Sequence, residues 1–112
     1  MLNTVDGEVK AGIKGTSKAV HAIYIAVDKS GVVRYIGRTA REVTVRAAEH
    51  IAKGGAKAGL VYREIKEAGR MTLKEARIYE QKLINSYGGP GKQLLNEINS
   101  VAEKFWDRLG IK

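Results

Sequence analysis

Residues 21–37 read HAIYIAVDKSGVVRYIG, two β-prone runs on either side of a turn sequence that contains glycine. Runs rich in β-branched and aromatic residues around such a loop are typical of a β-hairpin. A four-residue loop over 28–31 places Tyr24 directly opposite Tyr35, and opposed residues share one face of a sheet. The two phenols are therefore expected side by side on one face. The other face is expected to be aliphatic, with Ile23, Ile25, Val27 and Ile36.

The segment after the hairpin predicts a helix over about 40–53. It opens with Thr39-x-x-Glu42, which has the pattern of a capping box. The expected buried stripe of this helix consists of Val43, Ala47 and Ile51. Arg46 and His50 lie four residues apart and therefore share a different face of the same helix.

A second capping box, Thr72-x-x-Glu75, predicts a helix over about 73–87, and residues 60–65 predict a third strand before it. The apolar stripe of this helix consists of Ala76, Tyr79, Leu83, Ile84 and Tyr87. Glu80 falls inside that stripe. A carboxylate on a buried face is costly unless it is paired or bound to a cation, so Glu80 is a candidate functional residue.

The rest of the chain completes a prediction of one domain. Ser100-x-x-Glu103 predicts a last helix that ends near Gly110. Residues 1–20 contain three glycines and no sustained hydrophobic period, which indicates a flexible leader or a linker. Residues 21–112 are expected to form an α+β domain, a small three-stranded, mainly antiparallel sheet flanked by helices.

Composition excludes several classes of protein. The chain has 112 residues, which suits one domain, and it has no cysteine. The lack of cysteine excludes a disulfide scaffold, cysteine-ligated zinc and thiol catalysis. No apolar run approaches the roughly 20 residues of a membrane-spanning helix, so no membrane partner is expected.

The net charge of +8 points to an anionic partner. Residues 29–82 hold thirteen basic and six acidic side chains, so seven of the eight excess charges lie in the centre of the chain. A basic excess concentrated in one part of a small domain favours nucleic acid as the partner. The alternative is an ordinary solvated surface.

An ordered set of motifs resembles the GIY-YIG nuclease family. The set consists of AIY at 22–24, YIG at 35–37, Arg46 with His50, Glu80 and Asn96. In addition, RTAREVTVRAAEH, TLKEARIYEQKLINSYGG and LLNEINS are similar to GIY-YIG nuclease domains at the C-termini of bacterial polymorphic toxins, of the Rhs or contact-dependent type. The similarity spans roughly residues 21–99.

The resemblance implies a role for each of the four main site residues. Glu80 would hold a single Mg²⁺ or Mn²⁺ that keeps most of its waters, as hard cations on one carboxylate do. Tyr24 and Tyr35 would orient or deprotonate the attacking water. Arg46 would contact the scissile phosphate bidentately, which suits a guanidinium better than an ammonium.

Four further residues receive supporting roles from the same resemblance. His50 would hydrogen-bond a phosphate or a tyrosine, and Arg38 would contact substrate. Gly37 would allow the backbone to turn or another group to approach closely. Asn96 would support the site by hydrogen bonding.

Most of these residues also have an ordinary structural explanation. Glu80 could pair with Arg77 or with a lysine, and the tyrosines could be ordinary strand aromatics. Arg46 and Arg38 could be surface arginines, His50 a structural histidine, and Asn96 a helix cap.

The implied activity is a metal-dependent endonuclease that acts on DNA in preference to RNA and serves as a toxin in bacterial competition. Such a toxin would be secreted as the C-terminal part of a larger effector and act in the cytoplasm of the target cell. Its cognate immunity protein would need an acidic surface to cover a domain of charge +8. The alternatives are an RNase toxin with the same site and a catalytically silent nucleic-acid-binding module.

Overall fold

Six helices and strands make up the domain, and the computed structural model describes residues 18–112. They are β1 (Ala22–Val27), β2 (Val33–Thr39), α1 (Val43–Lys53), β3 (Val61–Glu64), α2 (Leu73–Ser86) and the short α3 (Trp106–Leu109). The strands form one sheet in the order β2-β1-β3, and both neighbouring pairs are antiparallel. The predicted α+β fold and its third strand are confirmed. Most of the leader expected at 1–20 lies outside the described residues.

The register of the hairpin differs from the predicted one. Tyr24 lies opposite Gly37, whereas Tyr35 lies opposite Ala26, and the register shifts after Ala26. Two features produce the difference. Asp28 Oδ1 accepts the backbone N–H groups of residues 30 and 32 and so holds a loop one residue longer than predicted, and the irregularity between Ala26 and Val27 shifts the pairing by one residue more. The two tyrosines remain on one face as diagonal neighbours, with ring centroids 6.2 Å apart.

The two faces of the sheet bury different chemistry, as the hairpin pattern predicted. The aliphatic face forms the larger core, whose buried members are Ile23, Ile25, Ile36, Ala76, Ile84 and Leu94. The opposite face carries a smaller cluster of Ala22, Tyr24 and Val43, with Tyr35 and Tyr62 packed against it. Full burial of an isoleucine contributes about 1.5–3 kcal/mol, so the aliphatic face contributes much of the stability of the fold.

Helix α1 begins later than predicted and buries a different stripe. Thr39 is the last residue of β2, and its hydroxyl accepts the N–H of Arg41 instead of capping the helix. Glu42 is the N-cap and makes no side-chain capping bond. Ile51 is 51% exposed, whereas His50 is buried with Val43. The side of α1 that meets the aromatic face of the sheet is therefore partly polar.

Helix α2 follows the prediction closely. Thr72 and Glu75 form the capping box reciprocally, and the helix ends at Ser86. Ala76 and Ile84 are fully buried in the aliphatic core, and the three remaining stripe residues pack against it. None of the helices within residues 18–112 is long and apolar enough to cross a membrane.

The C-terminal segment does not form the predicted helix from Ser100 onward. The chain makes a short 3₁₀ turn at Glu103–Phe105, and α3 follows directly. That helix ends at Gly110, whose backbone is in the left-handed conformation. The buried amide of Gln81 holds this segment, because it accepts the N–H of Val101 and donates to Asn99. Ser100 is thereby placed beside α2, where it has another partner.

Candidate active site

Four aromatic rings gather on the aromatic face of the sheet. Tyr24 comes from β1, Tyr35 from β2, Tyr62 from β3 and His50 from α1. The hydroxyl of Tyr24 lies 3.1 Å from His50 Nε2. Tyr62 stacks on the imidazole at a centroid distance of 5.4 Å and an angle of 8°, and Tyr35 meets its edge at 5.4 Å. The predicted pair of tyrosines is thus part of a four-ring cluster.

Gly37 makes room for the phenol of Tyr24. A Cβ atom at this position would overlap ring and hydroxyl atoms of Tyr24 across the strand pair. The close approach expected at Gly37 is therefore present, and the group that approaches is a side chain of the site. The backbone does not turn here, because Gly37 lies inside β2.

The hydrogen bond between Tyr24 and His50 joins two neutral groups near pH 7. Burial raises the pKa of the Tyr24 hydroxyl far above its usual value, and the nearby Arg46 offsets only part of that rise. Burial, together with the charges of Arg46 and Lys57, lowers the pKa of His50. A neutral phenol that donates to Nε2 can pass its proton to the imidazole as it receives another proton, so that the imidazole alone becomes charged.

Arg46 sits at the rim of this cluster. Its guanidinium lies 3.0 Å from Glu49, and Arg41 contacts the same carboxylate at 2.7 Å. The two arginines hold the pKa of Glu49 at about 2. Arg46 also opposes the rise in the pKa of both Tyr24 and Tyr35, so its charge acts on both phenols. The contact with Glu49 uses one terminal nitrogen of the guanidinium and fixes its direction at that point.

Glu80 reaches the same region from α2 and is 6% exposed. Its Oε1 accepts a hydrogen bond from Arg38 at 2.8 Å and another from the hydroxyl of Ser100 at 2.8 Å. The alternative partner considered from the sequence, Arg77, instead donates to the backbone carbonyl of Ser100. The buried carboxylate is thus paired, and its partner comes from the residue that directly follows the YIG motif.

A divalent ion at this place would depend on Glu80 alone. Within residues 18–112 no group of three His, Cys, Asp or Glu side chains is arranged to hold a metal ion. A single carboxylate with water as the remaining ligands is a mode that Mg²⁺ uses, and the donor fits that ion. Both hydrogen bonds observed here use Oε1. An ion at the carboxylate would therefore either displace the guanidinium of Arg38 or share the carboxylate with it.

A cleft of about 360 Å³ joins these groups. Its walls include both predicted tyrosines, both predicted arginines of the site, Gly37 and Glu80. The volume lies within the roughly 300–1,000 Å³ that is usual for ligand sites. The cleft therefore brings together six of the eight predicted site residues.

Asn96 lies behind the site and pairs with backbone. Its Oδ1 accepts the N–H of Ile36 at 3.0 Å, and its Nδ2 donates to the carbonyl of Ile36 at 2.8 Å. The amide thereby takes the place of a neighbouring strand along the outer edge of β2, between Tyr35 and Gly37. The alternative of a helix cap is wrong, since the residues that directly follow Asn96, 97–102, are not helical. Its contacts make Asn96 a positioning residue for the YIG strand.

Asn96→Ala is expected to lower the free energy of unfolding by about 2–4 kcal/mol, because it leaves two buried backbone groups of Ile36 without partners. Glu97→Gln, on the exposed neighbouring residue, is the matched control and should change stability by less than about 0.5 kcal/mol. Chemical denaturation of the three proteins measures both values. An Asn96→Ala protein as stable as the control would contradict the strand-like role of the amide.

Three residues of the region were not predicted from the sequence. Tyr62 shares the face of Tyr24 because it pairs with Ala26, and that register was not available beforehand. Lys57 lies over the ring of Tyr35 from a loop without a sequence motif. Ser100 was assigned to a helix cap by its spacing from Glu103, whereas its hydroxyl serves Glu80.

Comparison with known proteins adds no relative to this geometry. No family model matches the sequence, and no curated protein and no solved structure matches the chain. Membership of the GIY-YIG nuclease family, which the motifs predict, therefore stays a prediction that rests on the residues themselves.

Proposed function

We propose that this protein is a metal-dependent endonuclease that hydrolyses phosphodiester bonds, with DNA as its substrate. One observation carries the proposal: Tyr24, Tyr35, Arg46 and Glu80 come from four different elements and line one cleft of a domain with charge +8. Phosphodiester hydrolysis needs an oriented water, positive charge at the phosphate and assistance to the leaving oxygen. The four side chains correspond to those needs.

The proton route uses Tyr24 and His50. With the phenol donating to Nε2, Tyr24 takes a proton from the attacking water as its own proton passes to His50. The imidazole becomes a cation and the phenol stays neutral, so the high pKa of Tyr24 does not block the transfer. Tyr35, which is less buried than Tyr24 and lines the same cleft, orients the water.

The charges of the substrate are met by Arg46 and Glu80. Arg46 holds a non-bridging oxygen of the phosphate, and its anchor on Glu49 fixes the direction of the guanidinium. A divalent ion at Glu80 would supply positive charge for the phosphate and for the leaving oxygen. Arg38 is then free to leave Glu80 for the phosphate backbone, which is the substrate contact expected from the sequence.

The biological setting is a further part of the proposal and rests on the resemblance to toxin domains. A nuclease toxin requires an immunity protein in the producing cell, and a partner for a domain of charge +8 should present an acidic surface. An immunity protein that keeps its affinity after its acidic contact residues are neutralised would contradict this part alone.

Cleavage of supercoiled plasmid by the wild-type protein tests the activity, with structured RNA in a parallel reaction. Nicked and linear DNA should form with Mg²⁺ or Mn²⁺ and not with chelator. Cleavage of RNA alone would replace DNA by RNA as the substrate. Binding of both nucleic acids without cleavage under either metal would favour the silent binding module.

A further inference from the structure

The turn after α1 is built to present Lys57 to the tyrosine cluster. Gly54 and Gly55 have φ values of 81° and 79°, which residues with a Cβ atom rarely adopt. A 3₁₀ turn at Ala56–Gly59 follows them. The hydroxyl of Tyr62 donates to the backbone carbonyl of Lys57 at 2.9 Å. The ring of the same tyrosine stacks on His50. Tyr62 therefore connects the turn to the site, with its hydroxyl on the turn and its ring on the imidazole.

The ammonium group of Lys57 lies 4.1 Å from the ring centroid of Tyr35. Burial lowers the pKa of this lysine, the charge of Glu97 opposes part of that fall, and the charges of Lys53 and Arg46 lower the pKa further. Among the ion pairs within residues 18–112, none includes Lys57. Lys57 and its two cationic neighbours outnumber Glu97, and the excess of positive charge favours a bound anion at this place.

Lys57 and Lys53 form one wall of a groove that continues from the site. Two clefts, of about 580 Å³ and 560 Å³, share these two lysines on one side and Leu95 and Glu97 on the other. The first also contains Arg46, and the second contains Tyr35, Arg38 and Glu80. The lysine groove, defined by Lys53, Lys57, Leu95 and Glu97, thus adjoins the proposed catalytic cleft.

We propose that the lysine groove binds the phosphate backbone of the nucleic-acid strand next to the scissile phosphate. This inference rests on the proposed function, since it extends the same substrate beyond the cleft. A phosphodiester chain carries one negative charge per nucleotide, and cations that neutralise these charges release counterions and add affinity. Arg46 binds the phosphate to be cut, and Lys57 and Lys53 bind those that follow it.

This arrangement has a distinct thermodynamic signature. Each lysine that neutralises a phosphate contributes roughly 0.7–0.9 to the slope of log affinity against log salt. Lys57→Gln and Lys53→Gln are therefore each expected to lower affinity at low salt about fivefold to thirtyfold and to flatten the salt dependence by nearly one. Lys57→Arg keeps the charge and should restore most of both quantities.

The experiment measures binding in chelator, so that cleavage does not contribute. Fluorescence anisotropy of a labelled DNA oligonucleotide, single-stranded and duplex, is followed over a range of salt concentrations for the wild type and the variants. Lys82→Gln is the matched control, because Lys82 is exposed on α2 and lines neither cleft. Its affinity and slope should remain close to those of the wild type.

Groove variants that bind like Lys82→Gln would overturn the inference, and plasmid cleavage by the wild type would then leave the nuclease intact. Loss of affinity in Lys57→Gln without rescue by Lys57→Arg would also overturn it, since the loss would come from the fold of the turn. Conversely, charge-dependent binding in the groove together with no cleavage under any metal supports the groove and rejects the nuclease. The two proposals therefore fail in different ways.

Discussion

Glu80→Gln is expected to lower the rate of metal-dependent cleavage by a factor on the order of 10³, the upper end of what loss of one electrostatic group costs. Glutamine has nearly the shape of glutamate, and its carbonyl oxygen can still accept from Arg38 and Ser100, which now share Oε1. The fold is therefore kept while the negative charge that would hold a divalent ion is lost.

The control for this variant is Glu67→Gln, which removes the same charge from an exposed residue outside the clefts. Single-turnover cleavage and Mn²⁺ binding by calorimetry are measured on both proteins, and thermal unfolding shows that both are folded. Glu80→Gln should lose cleavage and metal binding together. Unchanged Mn²⁺ affinity in Glu80→Gln would show that the ion binds elsewhere.

Arg46→Lys is expected to lower the cleavage rate by a factor of about 10², although the positive charge is retained. Lysine offers a point charge in place of a planar fork, so it cannot bind a phosphate bidentately. It also cannot bridge Glu49 and the phosphate with a fixed geometry, as the guanidinium does from its contact at 3.0 Å. A fall in the rate at saturating substrate would indicate an interaction made chiefly in the transition state.

Arg63→Lys is the matched control, since Arg63 is exposed on β3 and lines none of the clefts of the site. Its rate should stay within about twofold of the wild type. If Arg46→Lys were as active as Arg63→Lys, Arg46 would be an ordinary surface arginine with no role in cleavage.

Local patterns predicted much of the fold because the causes are local. The alternation in residues 21–37 determines which side chains share a face, so the aliphatic and aromatic faces were predicted although the register was wrong. The register depended on Asp28, whose carboxylate accepts two backbone N–H groups within the turn, and on the irregularity between Ala26 and Val27. A shift of two residues preserved the faces, whereas a shift of one would have exchanged them.

Of the three capping boxes predicted from the sequence, one forms and two do not, for a physical reason. Thr72 lies directly before α2, and its hydroxyl accepts the backbone N–H of Glu75. Thr39 lies in a strand, and Ser100 donates to a buried carboxylate on another helix. The pattern in sequence was the same in all three places, but tertiary partners decided which hydroxyl capped a helix.

The candidate site was predicted at the level of residues and not of contacts. Glu80 was singled out because it interrupts an apolar stripe, and it is buried. Its partner Arg38 is 42 residues away in sequence, a separation at which no periodicity acts. The same holds for Asn96 and Ile36, which are 60 residues apart. Tyr62 and Lys57 were missed because only the packing of β3 and its preceding turn brings them to the other rings.

The most direct test of the central claim is cleavage of a defined DNA duplex with Mg²⁺ in water enriched in heavy oxygen, with the products weighed by mass spectrometry. The account predicts that each cut divides a strand into two fragments and that the end with the new phosphate carries a single heavy oxygen atom, because a water oriented by the phenols attacks the phosphorus. An intact duplex would contradict the proposed nuclease. Cleavage without heavy oxygen in the phosphate would contradict attack by water.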